Sequence, residues 1–405
     1  MRKTVKGLAL SAVAASVAMA GGYKIPEQSL NSMALGAAYV AHTTGADTNY
    51  FNPANMSFMG EKRYVEAGLT LAHLPSIEYK LVPPYSAKTK TENIVIPNLH
   101  YVSNPMGDFR WGVSLTAPGG LSKRWNSGIQ KAFAEEFTLK ILELNPNFSY
   151  KVSDDFSVGG GVRFLYSTGV IKSSGQVSRD MDGDTYAFGY NLAMTYKPTS
   201  DISIAATYRS NVNLDEEGTA VLKAGPTVVY RGKADVEIPL PAALNLAVSK
   251  TWNDMFTLEF NYERTYWSKY KVLDFNYGSA IPAGLVPFFD APLPKNWKDT
   301  NTYRIGATVK VNDRLTGMFG FAIDESPIPD STIGFELPDS DAKILSMGFR
   351  YQQSENLSWG AAFLYDSKKS RKIPAGVNPN PILANGGIFK GGGAFLSTIG
   401  ISYEF

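Results

Sequence analysis

The sequence predicts an all-β protein: a transmembrane antiparallel β-barrel of about fourteen strands, with an N-terminal plug, or hatch, inside its lumen. Three observations carry that expectation. Beyond residue 60 apolar residues alternate with small or polar ones at period two, which gives a strand two different faces. Short polar turns alternate with long irregular stretches. The chain also opens on a secretory leader.

The leader occupies residues 1–20. Arg2, Lys3 and Lys6 are followed by an apolar run from Leu8 to Met19, and Ala18-Met19-Ala20 fits a small-x-small cleavage site. The run is too short to cross a membrane as a helix, which needs ~20 residues. Residues 21–60 come next and do not alternate. They are rich in Gly, Ala, Ser and Asn, and too poor in large apolar residues to fold alone. The lumen is the cavity available to them, so they are assigned as the hatch.

Residues 61–405 form the barrel. Phe109, Trp111, Val113 and Leu115 alternate with Arg110, Gly112, Ser114 and Thr116. Tyr303, Ile305, Ala307 and Val309 alternate with Arg304, Gly306 and Thr308, and Leu345, Met347 and Phe349 with Ser346, Gly348 and Arg350. The greasy face is assigned to lipid and the other to the lumen. A water-soluble sandwich would put the greasy face inward, but many segments exceed the ~5–6 residues of a soluble strand and reach the ~9–11 of a membrane strand. Short turns fall at 104–108, 153–155, 198–201, 253–254, 312–313 and 354–356. Long loops are expected near 75–90, 118–134, 170–184, 214–234, 268–298, 325–340 and 367–392. Short periplasmic turns and long outer loops are the outer-membrane habit.

Composition excludes several functions. The net charge of +2 gives no nucleic-acid footprint, and zero cysteines exclude disulfides, thiolate metal sites and cysteine catalysis. Neither a cofactor nor a metal motif is present. Of the three histidines only His100 falls on a confident strand, and no nucleophile elbow or HExxH appears. The reading is therefore not an enzyme. A lipase-type outer-membrane enzyme and a structural barrel are the competing classes.

Four ordered blocks resemble the FadL family of outer-membrane transporters for long-chain fatty acids and similar hydrophobic compounds. They are Gly36–Val40 with Asn52-Pro53-Ala54; Ile96–Val102 with Trp111–Leu115; Trp267-Ser268 with Trp297–Gly306; and DESPIPDSTIGFELPDSD at 324–341. The resemblance implies a monomeric barrel that takes up hydrophobic small molecules passively. They are captured outside, held in an interior pocket and released sideways near a kink in the third strand, about Asp108–Pro118. Gly112, Gly119 and Gly120 suit such a kink, and Asn52, Pro53 and Ala54 resemble the hatch element beside it. Tyr23 stands where the family places an aromatic ring in the pocket. Lys295 and Lys298 lie near a carboxylate-contacting lysine of the family, and Phe405 resembles the C-terminal signal read by the barrel-assembly machinery. Outer-membrane lipid is the surrounding partner.

The residues themselves add candidates. A buried carboxylate needs a cation or several donors. Arg163 is one of five arginines on the lumen parity, with Arg110, Arg209, Arg304 and Arg350. Leu121 and Trp125 in one loop, and Phe288 and Phe289 in another, are dense apolar residues for outer loops and suit capture of greasy solutes. Aromatic hydrocarbons such as toluene or xylene are the alternative substrate.

Overall fold

The computed structural model describes residues 21–405. The leader expected at residues 1–20 lies outside them. Fourteen antiparallel strands close on themselves. In chain order they are β1 (Tyr64–Leu74), β2 (Glu92–Val102), β3 (Phe109–Thr116, resuming at Gly120–Arg124), β4 (Glu136–Lys151), β5 (Phe156–Ser173), β6 (Val177–Thr199) and β7 (Ile202–Arg209, continued by Val212–Ala224). There follow β8 (Thr227–Leu240, continued by Ala243–Trp252), β9 (Phe256–Thr265), β10 (Thr300–Lys310), β11 (Leu315–Asp324), β12 (Ala342–Gln352), β13 (Leu357–Lys368) and β14 (Ala394–Glu404). The seam joins β1 to β14, with Tyr64 opposite Glu404 and His73 opposite Phe395. Closure leaves no lipid-facing sheet edge at this seam, and an unpaired edge is what hydrocarbon penalises.

The face assignment follows the expected parity. Phe188, Phe319, Leu345, Phe363 and Ile399 are exposed on the outer wall, whereas Arg110, Asn145, Ser149, Thr195 and Asn261 are buried inside. The six short turns fall where they were expected. Asn253 and Asp254 both adopt positive φ, 51° and 54°, the left-handed pair that a tight hairpin requires.

Two expected long loops are instead strand. Residues 170–184 belong to β5 and β6, joined across Ser174–Gln176, and residues 214–234 to β7 and β8, joined across Gly225–Pro226. The alternation persists there, but its polarity is reversed. Ile171, Met181, Leu214, Leu222 and Ile238 are buried inside, while Asp180, Asp182 and Lys223 point out. These strands stand clear of the hydrocarbon, so their outer face meets water and reads as loop. The expected loop at 118–134 is strand at Gly120–Arg124, the upper part of β3, and the remaining long loops hold little regular structure. Short strands at Ile77–Lys80, Ala87–Lys88, Arg371–Ile373 and Gly387–Gly391 tie the first and last of them together.

Residues 21–60 touch strands all round the bore, which only a segment inside it can do. Helix α1 (Leu30–Ala34) starts on Ser29, whose Oγ accepts from the Ser32 N–H at 3.1 Å. After α2 (Thr48–Phe51), Asn52 caps a 3-10 turn at Pro53–Phe58 by accepting from the Ala54 N–H at 3.1 Å, with Pro53 at the first position, where no N–H is needed. Leu35 and Ala34 lie flat on Gly320 and Gly348. A Cβ there would come within 2.1 Å of the Leu35 carbonyl carbon and 2.6 Å of the Ala34 Cβ.

Candidate functional site

Among the described residues, the wall has a local break between β2 and β3. Strand β2 pairs with β1 along its whole length, Glu92 opposite Leu74 through Val102 opposite Tyr64. On its other side it pairs with β3 only from Leu99 to Val102. Contact resumes above β2, where the Lys90 N–H donates to the Arg124 carbonyl at 2.8 Å and Thr89 bridges Trp125. The edge of β2 between Glu92 and Asn98 therefore has no ladder partner on β3.

The sequence of β3 dictates the break. Pro118 has no N–H to give to a ladder, and Ala117–Gly119 turn inward between the two halves of the strand. Their backbone groups are satisfied by the start of the hatch. The Ile25 N–H donates to the Pro118 carbonyl at 2.9 Å, and the Gly120 N–H donates to the Tyr23 carbonyl at 2.8 Å. The Gln28 side chain closes the set, Nε2 donating to the Ala117 carbonyl at 2.9 Å and Oε1 accepting from the Ala117 N–H at 2.8 Å. A Cβ on Gly119 would sit 3.0 Å from the Tyr23 carbonyl oxygen and 3.1 Å from Leu240 Cδ1, so glycine eases the close approach. Behind the break, Ile94, Ile96 and Ala117 form an apolar lining with Ile25 and Leu30.

The predicted residues separate into groups. Gly119 and Gly120 are at the break. Gly112 is not; it makes room for the hatch, since a Cβ there would meet the Asn49 side chain and the Tyr101 carbonyl at 2.6 Å. The Asn52 Nδ2 donates to Thr195 Oγ1 and to the Val40 carbonyl, both at 2.8 Å, and Pro53 and Ala54 pack under β5, where the Ser157 hydroxyl donates to the Ala54 carbonyl at 2.8 Å. Tyr23 is buried in an aromatic box. Its ring meets Trp267 at 4.8 Å, Trp297 at 5.7 Å and Tyr270 at 6.4 Å, and its hydroxyl donates to the Pro239 carbonyl. Among the described residues, no acceptor meets the buried indole N–H groups of Trp267 and Trp297.

The outer-loop candidates do not form one exposed patch. Leu121, Trp125 and Phe289 are buried in the apolar cluster that contains Tyr23, and Trp125 Nε1 donates to the Phe335 carbonyl at 2.7 Å. Phe288 is 61% exposed. Phe405 lies at the barrel's seam end, half-exposed, exchanging backbone hydrogen bonds with Arg63. Lys295 is buried against Glu336, and Lys298 is exposed with its backbone N–H on the Pro327 carbonyl. His100 is also engaged: Nδ1 meets Ser114 Oγ at 2.8 Å and Nε2 meets the Gln28 carbonyl at 2.9 Å.

Below the box lies a small cavity of about 70 Å³ lined by Ile25, Val40, Phe51, Leu240 and Pro241, with Lys24, Arg163, Arg209, Arg304 and Glu263. Lys24 pairs with Glu263 at 2.7 Å, and Arg304 reaches the same carboxylate at 3.4 Å. Arg163 and Arg209 share Glu143, the former at 2.9 Å. Two guanidiniums on one carboxylate leave a positive charge in excess at that end. Sequence reasoning found Arg163 by parity and missed Lys24, because nothing local announces that residue 24 will meet β9.

The profile of outer membrane protein transport proteins (OMPP1/FadL/TodX) matches residues 11–405. The chain belongs to this family. It is an outer-membrane transport protein of a Gram-negative bacterium. It is 24% identical to the long-chain fatty acid transport protein of Salmonella typhi, over 90% of this chain and 92% of that one. In fold it is similar to a Pseudomonas aeruginosa FadL homologue, with a TM-score of 0.80, 18% identity, and coverage of 96% of this chain and 99% of that one. It is also similar to the Ralstonia pickettii toluene transporter TbuX, with a TM-score of 0.71, 20% identity, and coverage of 93% and 98%.

Proposed function

We propose that this FadL-family barrel is a passive channel for long-chain fatty acids or similar hydrophobic acids, which leave sideways through the break between β2 and β3. The observation that carries the reading is that break. In hydrocarbon every backbone group needs a partner, yet here a membrane wall is left unlaced on one side and lined with Ile94, Ile96 and Ala117 within. Among the described residues, the hydrogen bonds that satisfy the inward turn of β3 come from the chain's own residues 23–28.

The present state is closed. A cavity of about 70 Å³ is well below the ~300–1,000 Å³ of ligand pockets. Substrate gains room when residues 21–28 withdraw, taking Tyr23 out of the aromatic box and baring the break in one movement. Phe288, with Val272 and Leu293 also exposed, offers an apolar surface at the mouth for first contact. Asn52, Pro53 and Ala54 hold the hatch against β5 and β6 while the start of the chain moves.

An acid head is favoured over a neutral hydrocarbon by two features. The Arg163–Arg209 end carries more positive charge than Glu143 cancels, and the Trp267 and Trp297 N–H groups await an acceptor. The three aromatic rings around Tyr23, those of Trp267, Tyr270 and Trp297, favour the second reading, uptake of toluene-like rings. One experiment addresses both. The chain has no cysteine, so Ile96→Cys with Ala117→Cys supplies a single thiol pair, both members within the apolar lining of the break. Oxidation should abolish oleate uptake by cells expressing the variant, and reduction should restore it. Uptake that is indifferent to oxidation discards the sideways exit, and toluene entering faster than oleate in the wild type selects the second reading.

A further inference from the structure

The bore contains a second space beneath the cavity. It is a polar vestibule of about 310 Å³ toward the short-turn end, bounded by Ala41–Gly45 and Asn55 of the hatch and by Lys197, Asp201 and Thr251 of the wall. Strands β7 and β8 line both spaces. On β7, Ser203 borders the vestibule and Thr207 and Arg209 border the cavity; on β8, Ser249 and Thr251 border the vestibule and Ala243 and Asn245 the cavity. Between them on the same inward parity stand Ala205 and Ala247. These two alanines pack against Val40 and Ala41, in a small apolar cluster of four. Val40 faces the upper space and Ala41 the lower. Along this side of the bore, one turn of hatch separates the interior from the periplasm.

Glu259 of β9 fixes that turn to the wall. Its Oε1 accepts from the Val40 N–H at 2.6 Å and the Ala41 N–H at 3.1 Å, and its Oε2 accepts from the His42 N–H at 2.7 Å. The carbonyls of the same turn are held from within the hatch, by Asn52 Nδ2 on Val40 at 2.8 Å and by Asn55 Nδ2 on Val40 and Ala41 at 3.2 and 3.3 Å. Glu259 is buried, and these three backbone donors are its hydrogen-bond partners. Successive N–H groups converging on one anion form a nest. A buried carboxylate is costly to keep unless hydrogen-bonded, so its presence on β9 is explained by the turn it grips.

We propose that Glu259 is a positioning residue that holds shut a second way out of the lumen, directly into the periplasm. With the turn lifted, Thr207 and Asn245 above and Ser203, Ser249 and Thr251 below border one path for small hydrophilic solutes, narrowed only by the small side chains of Ala205 and Ala247. The inference rests on the interior being a passage, but its test needs no fatty acid. Full-length protein in planar bilayers is probed with potassium chloride, and amide exchange is followed at residues 40–42. Removing three charge-assisted hydrogen bonds in Glu259→Ala should raise conductance and speed exchange at those amides by at least about tenfold. Glu259→Gln, which keeps one acceptor oxygen but turns an amide NH₂ toward a backbone donor, should show a smaller rise in both. Wild-type conductance and exchange in folded Glu259→Ala, identified by its heat-modifiable gel mobility, overturn the proposal. If that variant does not insert, wild-type values in Glu259→Gln overturn it equally. Failure of the cross-link test with success here would sink the sideways exit and leave the downward one standing.

Discussion

The two ends of β4 follow opposite rules. Near its extracellular end the inward residues are Phe137, Leu139 and Ile141; nearer the periplasm, on the same face, they are Glu143, Asn145, Asn147 and Ser149, all seven of them buried. The outward face changes in the other direction, from Glu136 and Lys140 to the exposed Leu144, Phe148 and Tyr150. Strand β6 repeats the exchange, with Asp180, Asp182 and Asp184 giving way to Tyr186, Phe188 and Tyr190 on its outer side. A single sheet thus has two insides. Above the membrane it is an ordinary water-soluble core; within the membrane the solvent is hydrocarbon and the polar groups must pair across the bore. The difference teaches that parity sets which side a residue is on, while the surrounding solvent sets what that side must be.

The contrast can be broken deliberately. The largest effect is expected from Glu143→Ala, which leaves Arg163 and Arg209 buried without their carboxylate and should cost about 3–5 kcal/mol in unfolding from lipid vesicles. A loss below 1 kcal/mol would mean that water, not pairing, satisfies the lower bore.

Glu27 sharpens the same point within the hatch. It is buried with Oε2 unpartnered, and burial pushes its carboxyl from 4.5 up to about 7, against a smaller opposing pull from Arg304. The folded state then keeps a proton that the unfolded chain has lost between pH 4.5 and 7. Stability therefore falls as pH rises through that window, by on the order of 3 kcal/mol. Glu27→Gln should flatten this slope and be the more stable protein at pH 8; identical pH profiles for the two would refute the assignment.

On the outer wall, Leu345→Arg should destabilise by about 2–4 kcal/mol near the bilayer midplane. Asp182→Arg, outward on β6 but in the water-facing half, should stay within about 0.5 kcal/mol. Similar costs at both positions would erase the boundary between the halves.

The alternation of Tyr303 to Val309 and of Leu345 to Phe349 made the barrel readable, because hydrocarbon outside and a polar bore impose period two on short-range sequence. The same rule misled at 170–184 and 214–234. There Asp180, Asp182 and Lys223 look like loop, although Met181, Leu214 and Leu222 keep the period with the sign reversed. Arg163 was visible as an inward cation, yet its sharing of Glu143 with Arg209 depends on register between β4, β5 and β7. Leu121 and Trp125 read as exposed loop residues because the sequence does not say that the outer loops fold over one another. Lys24 carried no signal at all, and Glu259 carried only its inward parity. Each acquires its meaning from a partner more than two hundred residues away in the chain.

The seam between β1 and β14 constrains how the molecule is made. Residue 64 finds its partner at residue 404, so the first strand synthesised waits for the last. Leu30 meanwhile lies against Gly400 of that last strand and beside Gly360 of β13. The plug is therefore born before its container and must already be seated, or held aside, when the final strand arrives. Native contacts of such long sequence separation form slowly. The interval before the seam zips is when this chain depends most on help from outside.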